Sequence, residues 1–282
     1  MLGLVAALAY GISDFVAGLG SRRLHFLWVT ALAQVVGAAV ALLTLIWFRG
    51  AGPTATAVGW GAASGVGSSL GTFALYRGYG HGEMAVAGPL SAIGAAAVPA
   101  LVGVLLGDRL AGLSVAGIVL ALPAIWLMAR TPAASAASAA TGRRVRVGVL
   151  DGLLSGMGFG LLFIALSLAG SGAGLWPVAA GQVVALVLDL AVLGVVRPPW
   201  PGRTARRPAG SAAAAGLLGI AATVLFFLAT HASLLAIAAV LTSLYPAFTV
   251  GLAAWLLGER PGTGQWVGLA LGAVAVVLIV VG

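Results

Sequence analysis

Leu27-Trp28-x-x-Ala31-x-x-Gln34-Val35-Val36 recurs 148 residues later as Leu175-Trp176-x-x-Ala179-x-x-Gln182-Val183-Val184. A second echo follows at a slightly longer spacing. Gly107-Asp108-Arg109 answers Gly258-Glu259-Arg260, with Leu90/Leu241, Leu105-Leu106/Leu256-Leu257 and Gly117/Gly268 in register. The chain therefore reads as a tandem duplication, and both copies are almost wholly apolar. A duplicated apolar chain points to a membrane protein that moves something between two repeats.

Composition supports the membrane reading. Hydrophobic residues make up 61% of the 282 positions and charged ones 7%, against about 25% charged in soluble domains. Charge-free or nearly charge-free runs resolve into ten spans, about 2–21, 25–48, 58–79, 83–107, 111–130, 147–170, 175–196, 210–231, 234–258 and 262–281. Each approaches or exceeds the roughly 20 residues a membrane helix needs. The expected fold is an all-α membrane protein of ten transmembrane helices, arranged as an inverted 5+5 repeat around a central cavity. Residues 1–130 would form the first repeat, 131–146 an Ala-, Ser- and Arg-rich linker, and 147–282 the second.

All 14 basic residues are arginine, and they mark topology rather than a nucleic-acid surface. With the N-terminus outside, the loops after spans 1, 3, 5, 7 and 9 hold Arg22, Arg23, Arg77, Arg130, Arg143, Arg144, Arg146, Arg197, Arg203, Arg206, Arg207 and Arg260, whereas the other side holds Arg49 and Arg109. This imbalance places both termini outside a cytoplasmic membrane. Five spans per half is an odd number, so the second half inserts upside down, and equivalent loops should carry opposite charge bias. They do: two arginines lie between spans 1 and 2 and none between spans 6 and 7. With no cysteine, disulfides and thiolate metal sites are excluded.

Polar residues inside spans are the site candidates. An acid near the bilayer centre costs about 2.5–3.5 kcal/mol on insertion scales, and Asp14 sits near the middle of the first span. It is either a proton carrier, a counter-ion for a cationic substrate, or half of a structural pair. Asp189, nearer a span end, would pair with Arg197, reach the surface or serve function. Asp151 is expected in the first turn of its helix, where an acid suits the positive helix terminus. Arg77, His81 and Glu83 crowd a short turn, as an interfacial ion cluster or as a gate. Gln34 and Gln182 hold equivalent places and act either as an interhelical tie or as substrate contacts. Ser68, Thr72 and Tyr76 form one helical stripe; with Ser69, Ser91, Thr242, Ser243 and Tyr245 they are the candidate polar contacts of the cavity. Pro89, Pro99 and Pro246 should loosen the fourth and ninth spans at matching places. Gly61-x-x-x-Gly65 and Gly67-x-x-x-Gly71 suit close helix packing.

These motifs carry a resemblance. Ala85-x-Ala87-x-Pro89-Leu90-Ser91 leading to Leu105-Leu106-Gly107-Asp108-Arg109, then Val240-Leu241-Thr242-Ser243-Leu244-Tyr245-Pro246 leading to Leu256-Leu257-Gly258-Glu259-Arg260, resemble the two EamA domains of the drug/metabolite transporter superfamily. Tyr10-Gly11-Ile12-Ser13-Asp14-Phe15 is similar to the opening of bacterial members. The first half departs at Ala95, where the proline after the Ser/Thr pair is missing. The resemblance implies a cavity lined by spans 1, 3, 4, 6, 8 and 9, with 5 and 10 peripheral. Many members export amino acids or other small metabolites and some move sugars or nucleotide sugars, and four-helix relatives use an acid in the first span, where this chain has Asp14, for proton-coupled export of cationic drugs.

The expected function is secondary active export of a small polar or amphipathic metabolite, amino-acid-like or cationic, with protons as the coupling ion. The partners are then a small-molecule substrate, protons and the lipid bilayer, in a monomer or homodimer. The alternative is a lipid-carrier flippase subunit or a non-transporting membrane partner, which predicts a groove open to lipid. Scattered histidines argue against an enzyme, and no nucleotide motif, metal cluster or cofactor signature appears.

Overall fold

A computed structural model describes residues 1–21, 23–80, 84–129, 142–199, 206–258 and 260–282. Among them there is no strand. The helices are α1 (Leu2–Ser21), α2 (Phe26–Thr44), α3 (Ala55–Gly80), α4 (Met84–Leu105), α5 (Gly112–Ala129) and α6 (Gly142–Leu168). They are followed by α7 (Trp176–Val196), α8 (Arg206–Ala232), α9 (Leu235–Thr242), α10 (Tyr245–Leu257) and α11 (Thr263–Val281). Nine apolar helical stretches among the described residues are long and apolar enough to cross a membrane, α9 and α10 counting as one. The tenth span of the sequence reading is α3. Its 26 residues extend about 39 Å, but glycine and serine dilute its apolar character.

The glycines of α3 explain its composition. Gly61 and Gly65 lie against Pro177 and Gly181 of α7, while Gly67 and Gly71 lie against Gly158, Leu162 and Phe159 of α6. Each small-xxx-small motif thus serves a different neighbour. A Cβ at Gly158 would fall 2.5 Å from Gly71 N and 2.7 Å from Gly71 Cα. Backbone cannot yield to it as a side chain would. Gly158→Ala is expected to destabilise the bundle by about 1–3 kcal/mol through overpacking, read as a lower Tm of the detergent-solubilised protein.

Contacts between the halves come in reciprocal pairs. In α5, Gly117 meets Ala275 and Ile279 of α11; in α11, Gly268 meets Ala124 and Met128 of α5. The early residue of each helix touches the late residue of the other, so α5 and α11 run antiparallel. Gly65 lies on Gly181 as Gly216 lies on Ala33. A Cβ on Gly3 would meet Leu241 Cβ at 3.1 Å and Ala238 O at 3.3 Å; on Gly152 it would meet Leu90 Cβ at 2.7 Å and Ala87 O at 2.9 Å. Since Leu90 and Leu241 are equivalent in sequence, this contact sets α1 in register with α6. Gln34 and Gln182 meet directly: Gln34 Nε2 donates to Gln182 Oε1, and to Gln182 O at 3.1 Å. The glutamines are therefore an interhelical tie. Loops pair as well. Leu175 N donates to Phe48 O at 3.0 Å and Ala51 N to Gly172 O at 2.9 Å, with Gly50 and Gly174 packed together, each at φ 57°. That left-handed backbone, with no room for a Cβ, requires glycine at both.

Three expectations change. The ninth span breaks at Ser243–Leu244, but the fourth runs unbroken through Pro89 and Pro99. Pro246 opens α10 and has no N–H for Thr242 O; its counterpart is Ala95, so α4 lacks a proline at the matching place. Asp151 is not in a first turn. Helix α6 starts at Gly142, ahead of the apolar run, and places Asp151 well inside, with no exposed surface. Asp189 does not pair with Arg197, which donates to Gly194 O at 2.9 Å; Asp189 Oδ1 accepts from Ser69 Oγ at 2.5 Å.

The Gly107-Asp108-Arg109 motif acquires a physical role. Asp108 Oδ2 accepts from Ala236 N at 3.0 Å, at the start of α9. A short helix leaves its first N–H groups unsatisfied, and a carboxylate from the other half supplies an acceptor. The counterpart Glu259 lies outside the described residues.

Candidate functional site

A cavity of about 220 Å³ occupies the centre of the bundle. Helices α1, α2, α3, α4, α6, α7, α8 and α10 line it, whereas α5 and α11 do not. The expected set of lining spans was 1, 3, 4, 6, 8 and 9. Helices α2 and α7 join it because their glutamine tie and the small residues Ala33, Gly37, Gly181 and Ala185 let the cavity reach them. A Cβ on Gly37 would sit 3.2 Å from Gln182 Oε1.

One face of α1 carries Tyr10, Ser13, Asp14 and Ala17 into the cavity, at the i, i+3, i+4, i+7 spacing of a helix face. Two of these anchor α1 on α8. Ser13 Oγ donates to Ala215 O at 2.8 Å. Tyr10 Oη lies 2.9 Å from Thr223 Oγ1, and that hydroxyl spends its proton on Gly219 O at 2.9 Å, so the tyrosine donates. Asp14 differs. No hydrogen bond or ion pair reaches it among the described residues. It lies deep in the bundle, and its accessible surface faces the cavity. A carboxylate far from either membrane surface and without a protein partner is costly, and one aimed into a cavity is completed by what enters the cavity.

The register of α1 with α6 gives the cavity its chemistry. Tyr10, Ser13 and Asp14 correspond to Phe159, Leu162 and Phe163, and all six line the space. Other equivalent pairs line it too, among them Gln34 with Gln182, Ser68 with Gly219, and Thr72 with Thr223. The cavity is thus lined by matching positions of both sequence repeats, but its two long walls differ. The α1 wall presents a phenol, a hydroxyl and a carboxylate. The α6 wall presents two phenyl rings and a leucine, with Phe163 stacked on Phe226 at 4.0 Å.

The sequence candidates divide accordingly. Asp14, Ser68, Thr72, Gln34, Gln182 and Tyr245 line the cavity. Ser69 turns to Asp189, and Ser91 shares a 2.7 Å hydrogen bond with Ser155, which donates to Gly71 O at 2.8 Å. Thr242 Oγ1 donates to Gly3 O at 3.3 Å, and Ser243 Oγ is buried at the α9–α10 break with no partner among the described residues. Arg77 leaves its turn and bonds Asp151 on α6, Nε to Oδ1 at 2.9 Å with Nη2 reaching the same oxygen. His81 and Glu83, and the side chain of Tyr76, lie outside the described residues. The sequence reading missed Tyr10, Ser13, Thr30, Ser64 and Thr223 as lining residues. For Tyr10 and Ser13 the signal was present, since both share the helix face of Asp14.

The model of the EamA-like transporter family matches residues 146–281. The sequence matches no curated protein. A solved structure described as "Crystal structure of protein" is similar in fold, with a TM-score of 0.77 at 17% identity, covering 99% of this chain and 95% of that one.

Proposed function

Since residues 146–281 match the model of the EamA-like transporter family, and nine helical stretches among the described residues are long and apolar enough to cross a membrane, we propose that the chain is a secondary active exporter. Its cargo is a small amphipathic cation, an amine with one apolar group, exchanged for protons. The observation that carries this reading is the unpartnered carboxylate of Asp14 facing Phe159 and Phe163 across the central cavity. A cation completes Asp14, and rings suit an apolar group and a neighbouring positive charge. A cavity of about 150 Å³ holds benzene; at about 220 Å³ this one suits a ring bearing a short aminoalkyl chain.

The two halves, 1–130 and 147–282 joined by 131–146, form an inverted repeat whose rocking exposes the cavity to each side in turn. The antiparallel α5 and α11, the reciprocal glycine contacts and the swapped arginine bias support that arrangement. The arginine count supports both termini outside a cytoplasmic membrane, and an inward proton gradient then drives export. A cavity inside the bundle favours a solute carrier over a flippase groove.

The test is an untargeted comparison of metabolites outside cells with and without the protein, followed by binding of phenylalkylamines and matched phenylalkanoic acids to purified protein. Amines are expected to accumulate outside and to bind, and the acids to do neither. Accumulation confined to anions, or binding of acids as tight as of amines, overturns the reading.

A further inference from the structure

A second acidic side chain, with no arginine partner among the described residues, lines a side pocket next to the cavity. Of the chain's six acids, Asp108 caps α9, Asp151 holds Arg77, and Glu83 and Glu259 lie outside the described residues. Asp14 and Asp189 remain. Asp189 on α7 accepts from Ser69 Oγ at 2.5 Å and lines a side pocket of about 10 Å³ with Phe26, Thr30, Thr72 and Phe73. That space corresponds to about one water molecule, far too small for an organic cargo.

The side pocket and the central cavity share a wall. Thr30 and Thr72 line both. Thr30 Oγ1 is buried and has no partner among the described residues. Helix α3 divides its hydroxyls between the two spaces: Ser68 and Thr72 face the cavity, and Ser69 bonds Asp189. Hydroxyls both donate and accept, and the two threonines that line both spaces, with one water in the side pocket, are the groups that would hand a proton from one carboxylate to the other. Among the described side chains, the charged and titratable groups on the packed elements are His25 before α2, Arg77 on α3, Arg197 at the end of α7 and His231 at the end of α8. The ring of His25 stacks on Phe26 at 4.7 Å, Arg77 is held by Asp151, and Arg197 donates to its own helix. None of these lines the pocket. The side chains of Arg206 and Arg207 on α8 lie outside the described residues.

We propose that the pocket around Asp189 is a second proton-binding site, joined to the central cavity through Thr30 and Thr72, which receives the proton Asp14 releases when a cation enters. The step balances. The Asp14 O–H bond breaks, and the carboxylate keeps the electron pair and faces the ammonium. The proton passes along the threonine hydroxyls and the water, and a new O–H bond forms on Asp189. The proposal rests on the exporter reading above, and it assigns that reading an exit for its coupling proton.

The experiment uses the full chain in proteoliposomes loaded with a pH-sensitive dye, with 2-phenylethylammonium as probe. In Asp189→Asn, probe binding is expected to stay within about threefold of the parent while amine-driven proton flux falls at least about tenfold, as for loss of a positioned proton acceptor. Thr30→Val, close in shape, should lower flux in the same direction and serves where Asp189→Asn fails to fold. Unchanged proton flux in both variants overturns the proposal. If the parent binds no amine, the exporter reading fails separately. The site is then read by infrared difference spectroscopy of the carboxyl band between acid and neutral buffer. A band lost in Asp189→Asn and displaced by Thr30→Val supports the proton site; no Asp189 band overturns it. A band that vanishes when choline is replaced by sodium assigns the pocket to sodium and overturns the proton reading.

Discussion

Asp14→Asn should abolish amine binding and proton-coupled exchange while leaving the folded bundle as stable as the parent. The side chain lies deep in the bundle and faces the cavity with no partner among the described residues, so the amide removes the group that would face the ammonium and breaks no bond to the protein. Loss of one partner from a desolvated charge pair costs about 2–5 kcal/mol of binding, and each 1.4 kcal/mol is tenfold. Affinity for a phenylalkylamine should therefore fall by about 30-fold or more, measured by calorimetry on purified protein. Flux in vesicles should lose its dependence on the pH gradient. Thermal stability should hold, because among the described residues the change breaks no hydrogen bond or ion pair of the parent. Retained pH-driven flux in this variant would remove Asp14 from the coupling mechanism.

Arg77→Ala should do the reverse, damaging stability far more than cargo affinity. Asp151 has no exposed surface, and its Oδ2 has no partner among the described residues. Arg77 reaches it from α3 with a side chain that is 46% exposed. Removing the guanidinium strands a carboxylate between the halves, and breaking a buried pair in this way costs about 3–5 kcal/mol. Asp151→Asn in the Arg77→Ala background should recover most of that loss, since the amide needs no counter-charge. Asp151→Asn alone should be mild, because the freed arginine can turn to solvent. Melting curves of the four proteins close a double-mutant cycle. Equal damage from Arg77→Ala with and without Asp151→Asn would show that the pair does not hold α3 to α6.

How much of this was legible beforehand depends on range. The repeated glutamine motif gave Gln34 and Gln182 matching places in α2 and α7, and the two side chains meet directly. Helix existence followed from apolar length, and the roles of the α3 glycines followed from spacing. What failed was long-range or relied on a shared rule. The partner of Asp151 lies 74 residues away, beyond any local pattern. Prolines in both the fourth and ninth spans suggested matching breaks, but α4 continues through Pro89 and Pro99 whereas the ninth span breaks just before Pro246. The correspondence of Asp14 with Phe163 had no sequence signal, because the opening helices of the two halves have diverged. Contacts of Gly3 and Gly152 with equivalent leucines revealed it.

That divergence has a consequence for motion. The carboxylate comes from the first sequence repeat and the phenyl rings from the second, so under the proposed rocking a passenger gripped at both ends would be tugged apart as the halves separate. Letting go would then be built into the same movement that opens the door.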